Sequence, residues 1–303
     1  MAKTKIEFVC RECGSSHHQW AGQCLDCKEW NTLEEVVISQ ATSSKPESLK
    51  DLPSSKVQNL SEIKSQNNHR LSTGLSELDR TLGGGLVDGS VVLIGGDPGI
   101  GKSTLILQAI AAINASSTTL YVSGEESAEQ VSDRAIRLGI KEDILFIGET
   151  HLEKIIKISK DTRPKVIVID SIQTMVTDLS NSAPGSVTQV RDCAAQLTQY
   201  AKQTNTILLM IGHVTKGGAL AGPRILEHMV DAVLYFEGDA GGRYRIIRAV
   251  KNRFGAVNEI SVFAMGEKGL QQVSNPSSIF LSNQENPSSG SMVMVTREAT
   301  RPL

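Results

Sequence analysis

In the run Gly96-Asp97-Pro98-Gly99-Ile100-Gly101-Lys102-Ser103-Thr104, the eight residues from Gly96 to Ser103 fit the spacing G-x-x-x-x-G-K-[ST] at every position. The chemistry of that spacing is phosphate capture. Glycines let successive backbone N–H groups turn inward, and a helix start adds the positive end of its dipole. Lys102 can then reach β- and γ-phosphates while the Ser103 hydroxyl ligates Mg2+. The pattern has meaning only between a strand and a helix. SVVLIG at 90–95 and TLILQAIAAINA at 104–115 supply both, so a nucleoside triphosphate is the expected ligand.

Further groups could complete such a site. Asp170 ends the apolar run VIVI at 166–169, where an acid at a strand's carboxyl end can orient Mg2+ or its water. Capping of the next helix is the plainer alternative. Glu125 and Glu126 follow TTLYVSG, and one of them could polarise the attacking water. The sequence does not separate the two. The reading leans to Glu126, and solvated helix-start charges are the alternative. His213 follows ILLMIG and opens a glycine-rich loop, as a candidate γ-phosphate sensor or simply a structural histidine. Arg243, Arg245, Arg248, Lys251 and Arg253 occur together with no acid between them. They read either as a solvated face or, on a hairpin, as a place where Lys251 and Arg253 share one side. Such a pair could enter a neighbouring subunit's site and stabilise charge on the departing γ-phosphate, with Phe254 and Gly255 fixing the turn.

Cys10, Cys13, Cys24 and Cys27 form two CxxC pairs, suited to one tetrahedral Zn2+. So small a segment cannot bury an adequate core, and metal binding is expected to supply most of its folding free energy. Trp20 and Trp30 are expected to cover the metal; His17 and His18 are conceivable ligands, but with four thiolates completing the site they are expected to face solvent. A redox dithiol pair is the alternative. Cys193 reads as a small core residue.

The elements that must position these groups follow from composition and pattern. The chain has 303 residues, is 40% hydrophobic and 21% charged, and carries a net charge of −2. That balance gives no global drive toward nucleic acid or anionic lipid. No apolar stretch approaches the ~18 residues of a membrane span, and MAKTKIEFVC lacks the apolar core of a secretory signal. The expectation is a cytoplasmic protein with no membrane partner. Residues 1–38 read as the zinc module and the Ser-, Lys- and Asn-rich 39–68 as a linker, with a short pairing strand near Val57 to Leu60. Residues 69–275 read as an α/β core, and 276–303 as a further linker and the start of another domain. Ser76 is the expected N-cap of a short helix. Apolar strands at 118–123, 144–147, 166–169 and 207–212 alternate with helices near 127–138, 151–160 and 186–203. That predicts a mostly parallel sheet with helices on both faces. Closely spaced strands from 232 onward predict an antiparallel extension at its edge.

These residues resemble the bacterial RadA (Sms) family of DNA repair and recombination proteins, relatives of the RecA recombinase and of DnaB-type ring helicases. Lys251-Asn252-Arg253-Phe254-Gly255 is the most specific element. GGDPGIGKST, YVSGEES, Asp170-Ser171, GHVTK, AGPRILEHMVD and the four-cysteine module with its tryptophans accompany it. The resemblance implies a RecA-like core that binds ATP, Mg2+ and Zn2+ and forms a homo-hexameric ring. It further implies binding of single-stranded and branched DNA, and branch migration alongside RecA. Lys251 and Arg253 would act on ATP across a subunit interface. DNA contacts are expected from two loops facing the ring centre, about Gln173 to Gln189 and 214–224, the latter with Lys216 and Arg224; Arg191 is expected nearer solvent.

Two departures accompany the likeness. The family continues into a Lon-protease-like domain, of which SGSMVMVTREATRPL resembles the first strand or two, so the chain is expected to be truncated there. Gly217 stands where the family usually has an acid. The alternatives are a regulatory ATPase or autokinase of the KaiC type, which needs neither the cysteines nor KNRFG, and a non-catalytic adaptor.

Overall fold

The computed structural model describes residues 5–10, 15–38, 70–180, 182–213, 226–238, 242–273, 275, 297–298 and 301–302. The chain divides into two compact units, Met1–His69 and Arg70–Leu303.

The first unit holds a three-stranded antiparallel sheet, ordered β2 (Ser16–His17), β1 (Lys5–Cys10), β3 (Leu33–Ile38). Its buried centre is Cys10, Cys24 and Leu33, with Phe8, Ala21 and Cys27 against them. Such a cluster is too small to hold a fold by apolar burial alone.

The second unit opens with β4 (Arg70–Leu71), α1 (Ser76–Thr81) and β5 (Leu86–Val87), β4 and β5 pairing antiparallel. The N-cap of α1 is Leu75 and not Ser76, whose hydroxyl instead donates to Gln272 Oε1 at 2.9 Å. A nine-stranded sheet follows, with strands β6 (Val91–Gly95), β7 (Thr119–Ser123), β8 (Leu145–Gly148), β9 (Val166–Asp170), β10 (Ile207–Ile211), β11 (Ala232–Glu237), β12 (Tyr244–Asn252), β13 (Ile260–Gly266) and β14 (Gly269–Gln272). The spatial order is β14-β13-β12-β11-β6-β10-β9-β7-β8. Helices α2 (Lys102–Asn114), α3 (Ala128–Leu138), α4 (Leu152–Thr162) and α5 (Val187–Thr204) complete the core. A short antiparallel pair, β15 (Arg297–Glu298) and β16 (Arg301–Pro302), lies near the end of the chain.

Every residue of β6, β7, β9 and β10 is buried, as the continuous apolar runs require when both faces are covered. The strand period of two divides them between two cores. Val92, Ile94, Val166 and Val168 pack with Leu105, Ile106 and Ile110 of α2. Val91, Leu93, Ile167 and Ile169 pack with Leu152 of α4 and Val190, Cys193 and Leu197 of α5.

The strands from 232 differ in one respect from the expected antiparallel extension: β11 runs parallel to β6, and antiparallel pairing begins only at β12. Asp231 anchors that arrangement, its backbone N–H donating to Val91 O and its carboxylate accepting from Val91 N–H at 3.0 Å. The parallel strands end level with one another, since Ile211 pairs with Ile94 and with Asp170, and Ser123 also pairs with Asp170. Everything leaving those ends converges on one edge. None of the described helices is long and apolar enough to cross a membrane.

Candidate functional site

The phosphate-binding pattern leaves the end of β6 and enters α2. Gly96 adopts φ +146°, and a Cβ there would lie 2.8 Å from Phe236 Cβ. Gly101, the N-cap of α2, adopts φ +114°, and a Cβ would lie 2.7 Å from Met265 Cε. Only glycine suits either position. No side chain caps α2 and no acid stands in its first turn, which leaves the positive end of its dipole to an external anion. The backbone of Ile100 is held from behind by Arg245, whose Nε donates to Ile100 O at 2.9 Å. Arg245 is thereby buried, which corrects its reading as part of a solvated basic face.

Lys102 is buried, with Nζ 2.8 Å from both Gly96 O and Asp97 O and 3.3 Å from His213 Nδ1. Burial lowers its pKa, opposed by Asp170, Glu125 and Asp97. The ammonium is therefore poised between the loop and the acids of the neighbouring strands. Asp170, on β9, is 5% exposed. It accepts hydrogen bonds from the Tyr121 hydroxyl and from Ser103. Burial raises its pKa, while those two donors pull it down. A hydroxyl and a carboxylate in contact beside a phosphate cradle and a lysine are the donor set of an Mg2+-nucleotide site, and these residues fit one. Asp97, Pro98, Gly99 and Thr104 lie along the same loop and first turn, with Pro98 and Gly99 exposed.

The two glutamates separate. Glu125 Oε1 lies 3.1 Å from His213 Nε2 and accepts a hydrogen bond from Ser171 Oγ. The His213 bond, followed by Ser171 and the charge of Lys102, outweighs burial and lowers its pKa. Glu126 instead pairs with Arg134 of α3. Of the two, Glu125 carries the carboxylate that bonds His213 and feels the charge of Lys102. His213 itself bridges Lys102 and Glu125, and its carbonyl accepts from Gln173 Nε2 at 3.3 Å. Gln189, placed at the far end of the first loop, lies inside α5 and is buried. Arg191 is half-exposed beside Asp192.

Lys251 and Arg253 belong to the opposite end of the sheet. Lys251 Nζ donates to Glu227 O at 2.6 Å, and Arg253 Nη1 lies 3.2 Å from Asp231 Oδ1. Lys251's pKa is lowered by burial and by the neighbouring Arg253 charge. Arg253 N–H donates to Asp231 O, and Asp231 N–H to Val91 O, so Arg253 stands near the start of β6. The phosphate loop leaves from the other end, at Gly95. Four residues of strand separate the two levels by about 13 Å, so Arg253 cannot serve its own subunit's phosphates. The turn after Asn252 is fixed by packing: a Cβ on Gly255 would lie 2.7 Å from Gly83 Cα, and Arg70 Nη2 donates to Phe254 O at 2.8 Å.

In the first unit, the sulfurs of Cys10, Cys24 and Cys27 lie within 4.8 Å of one another. Three thiols so close fit a thiophilic ion such as Zn2+. Burial would raise the pKa of Cys24, but hydrogen bonds from Ser15, from the backbone of Cys27 and Asp26, and from His17 bring it down to about 5. That favours the thiolate a metal requires. Two expectations are corrected here. His17 does not face solvent, because its Nε2 lies 3.5 Å from Cys24 Sγ. Trp20 and Trp30 are 59% and 68% exposed, and the cover comes from Phe8, Ala21 and Leu33. Cys193 is buried in the core, its pKa pushed up to about 12 by burial. Cys13, Lys216, Arg224 and the strand expected near Val57 to Leu60 lie outside the described residues.

The sequence reading gave no individual role to Tyr121, Ser171, Arg134 or Asp231 and grouped Arg245 with the basic run, although YVSGEES, Asp170-Ser171 and AGPRILEHMVD contain Tyr121, Ser171 and Asp231.

Two known families match parts of the chain. Residues 58–219 match the family described as an AAA domain, and residues 8–35 the one described as a rubredoxin metal binding domain. The chain is 54% identical over 304 residues to the DNA repair protein RadA of Pseudomonas aeruginosa. It is 51% identical over 321 residues to that of Escherichia coli and 47% over 307 residues to that of Bacillus subtilis. Each alignment covers 100% of this chain and 67% of the relative.

Proposed function

The chain belongs to the RadA family of DNA repair proteins, and from that premise we propose that its core is a DNA-dependent ATPase motor for branch migration. The observation that carries the reading is the separation of two half-sites. Lys102, Ser103, Asp170, Glu125 and His213 meet at one end of the sheet, while Lys251 and Arg253 stand at the other. Bound Mg2+ would supply charge neutralisation between the phosphates, held by Ser103 and Asp170. Lys102 leaves the Gly96 and Asp97 carbonyls for the β- and γ-phosphates. Glu125 orients the attacking water, and His213, which touches both Lys102 and Glu125, senses the γ-phosphate and passes its state to the following loop.

In this reading Lys251 and Arg253 complete the site of the next subunit in a homo-hexameric ring. The loops after Asp170 and His213, the latter with Lys216 and Arg224, face single-stranded or branched DNA at the ring centre, working alongside the RecA recombinase. Gln173, which bonds the carbonyl of His213, ties the first loop to the second. Residues 1–38 form the Zn2+ module, with Cys13 as the fourth ligand. The core spans 69–275, and 276–303 lead into the Lon-protease-like domain.

ATP turnover measured with and without single-stranded DNA tests the proposal. Stimulation by DNA supports the motor, autophosphorylation would replace it with a KaiC-type kinase, and neither would leave an adaptor. Three-strand branch migration by a version extended through the carboxy-terminal domain then tests the motor itself.

A further inference from the structure

We propose that Tyr121 is a positioning residue for Asp170, its hydroxyl aiming the metal-binding carboxylate from behind. This inference rests on the reading of Asp170 as the Mg2+ carboxylate.

Tyr121 sits in β7, the strand beside β9, two residues before the level at which Ser123 pairs with Asp170. Its side chain is fully buried, and its hydroxyl donates to Asp170 Oδ2. Ser103, from the first turn of α2, also bonds Asp170. The carboxylate is thus gripped by two hydroxyls from two different elements. One comes from the phosphate-binding side, where Mg2+ would sit, and the other from within the sheet.

A buried phenol has a strong reason to keep its partner, because an unpaired hydroxyl or carboxylate oxygen in an apolar interior is costly. The ring of Tyr121 is fixed independently, stacked on Phe146 with centroids 6.3 Å apart and planes 17° from parallel. The hydroxyl is therefore presented by packing and does not merely follow the acid.

Arg134 and Glu126 extend the same cluster. Arg134 of α3 is half-buried and paired with Glu126, and its charge is felt by Tyr121. Glu126 raises the pKa of Asp170, and Asp170 in turn raises that of Arg134.

Tyr121→Phe keeps the ring, its stacking and its volume, and removes only the hydroxyl. The measurement is binding of a fluorescent ATP analogue to the 303-residue chain, first in EDTA and then titrated with Mg2+, alongside the thermal midpoint. The expected result is unchanged affinity in EDTA and an Mg2+ half-saturation raised about tenfold, the effect of losing one hydrogen bond to a charged group. Phe146→Leu serves as the packing control, lowering the midpoint while leaving the Mg2+ half-saturation within about twofold. An unchanged Mg2+ titration in Tyr121→Phe overturns the proposal, and so does an equal shift in Phe146→Leu. If the unsubstituted chain binds the analogue without any dependence on Mg2+, the reading of Asp170 falls first and this inference falls with it.

Discussion

The two ends of the central sheet are built on opposite terms. At the P-loop end, the charged groups are held mainly by one another and by the loop itself: Lys102 on the Gly96 and Asp97 carbonyls, Glu125 on His213 and Ser171, Asp170 on two hydroxyls. Helix α2 arrives there with no capping side chain. At the other end the acid is saturated, Lys251 is tied to Glu227 O, and Arg253 is the more exposed base. Asp231, 3% exposed, takes Val91 N–H, Lys202 and Arg253. The Arg253 side chain, by contrast, is 59% exposed. The first end is arranged to receive a polyanion, whereas the second presents cations outward. On the proposed two-subunit reading, binding and turnover are separable properties of this chain, because each end holds what the other lacks.

The sharpest way to break that comparison is to remove the outward cations. Lys251→Ala or Arg253→Ala is expected to lower ATP turnover by about 10^3-fold, the scale of a trans arginine finger. Nucleotide affinity should stay within about twofold. Steady-state hydrolysis beside equilibrium binding reads both, and normal turnover in the two variants would sink the two-subunit site.

Within the P-loop end, the division between the glutamates comes next in size. Glu125→Gln should slow hydrolysis by about 10^2-fold, the usual contribution of a positioned base. Glu126→Gln should cost less than about tenfold, since its carboxylate pairs with Arg134 and not with His213. Single-turnover rates at saturating ATP decide between them, and the reverse ranking would restore Glu126 as the water-positioning residue.

A third change tests whether the base of the sheet is chiefly structural at Asp231. Asp231→Asn keeps an acceptor oxygen for Val91 N–H but removes the charge facing Lys202 and Arg253. The expected loss of stability is about 2 kcal/mol, the scale of a buried hydrogen bond to a charged group, read from the denaturant midpoint. A fall in nucleotide affinity at constant stability would show the two ends to be coupled.

Much of this was legible because local pattern and tertiary role coincide. The P-loop spacing dictates a strand, a turn and a helix start, and the apolar run before Asp170 fixes both its strand and its place at the carboxyl edge. What escaped the sequence depends on partners brought together only by the fold. Glu125 and Glu126 are adjacent and chemically identical, and one meets His213 only because β10 ends beside β9. Arg245 looks like one of five exposed bases, yet it is buried because its rung of β12 faces the loop carrying Ile100. Trp20 and Trp30 misled in the other direction. Composition alone suggested a cover for the cysteines, but the three-stranded sheet supplies one from Phe8 and Leu33.

The smallest effect contrasts two helix starts at the same edge of the sheet. Helix α3 begins with a complete capping box, Ser127 accepting from Gln130 N–H while Gln130 Oε1 accepts from Ser127 N–H. Its first-turn donors are thereby partly satisfied within the chain, unlike those of α2. Ser127→Ala is therefore expected to lower stability by about 1 kcal/mol and to leave nucleotide affinity unchanged, as read from thermal unfolding with and without ATP. A loss confined to stability keeps α3 as scaffold and α2 as the one anion-directed start of the pair. Should affinity fall in step, the start of α3 belongs to the site as well, and the dipole argument for α2 loses its contrast.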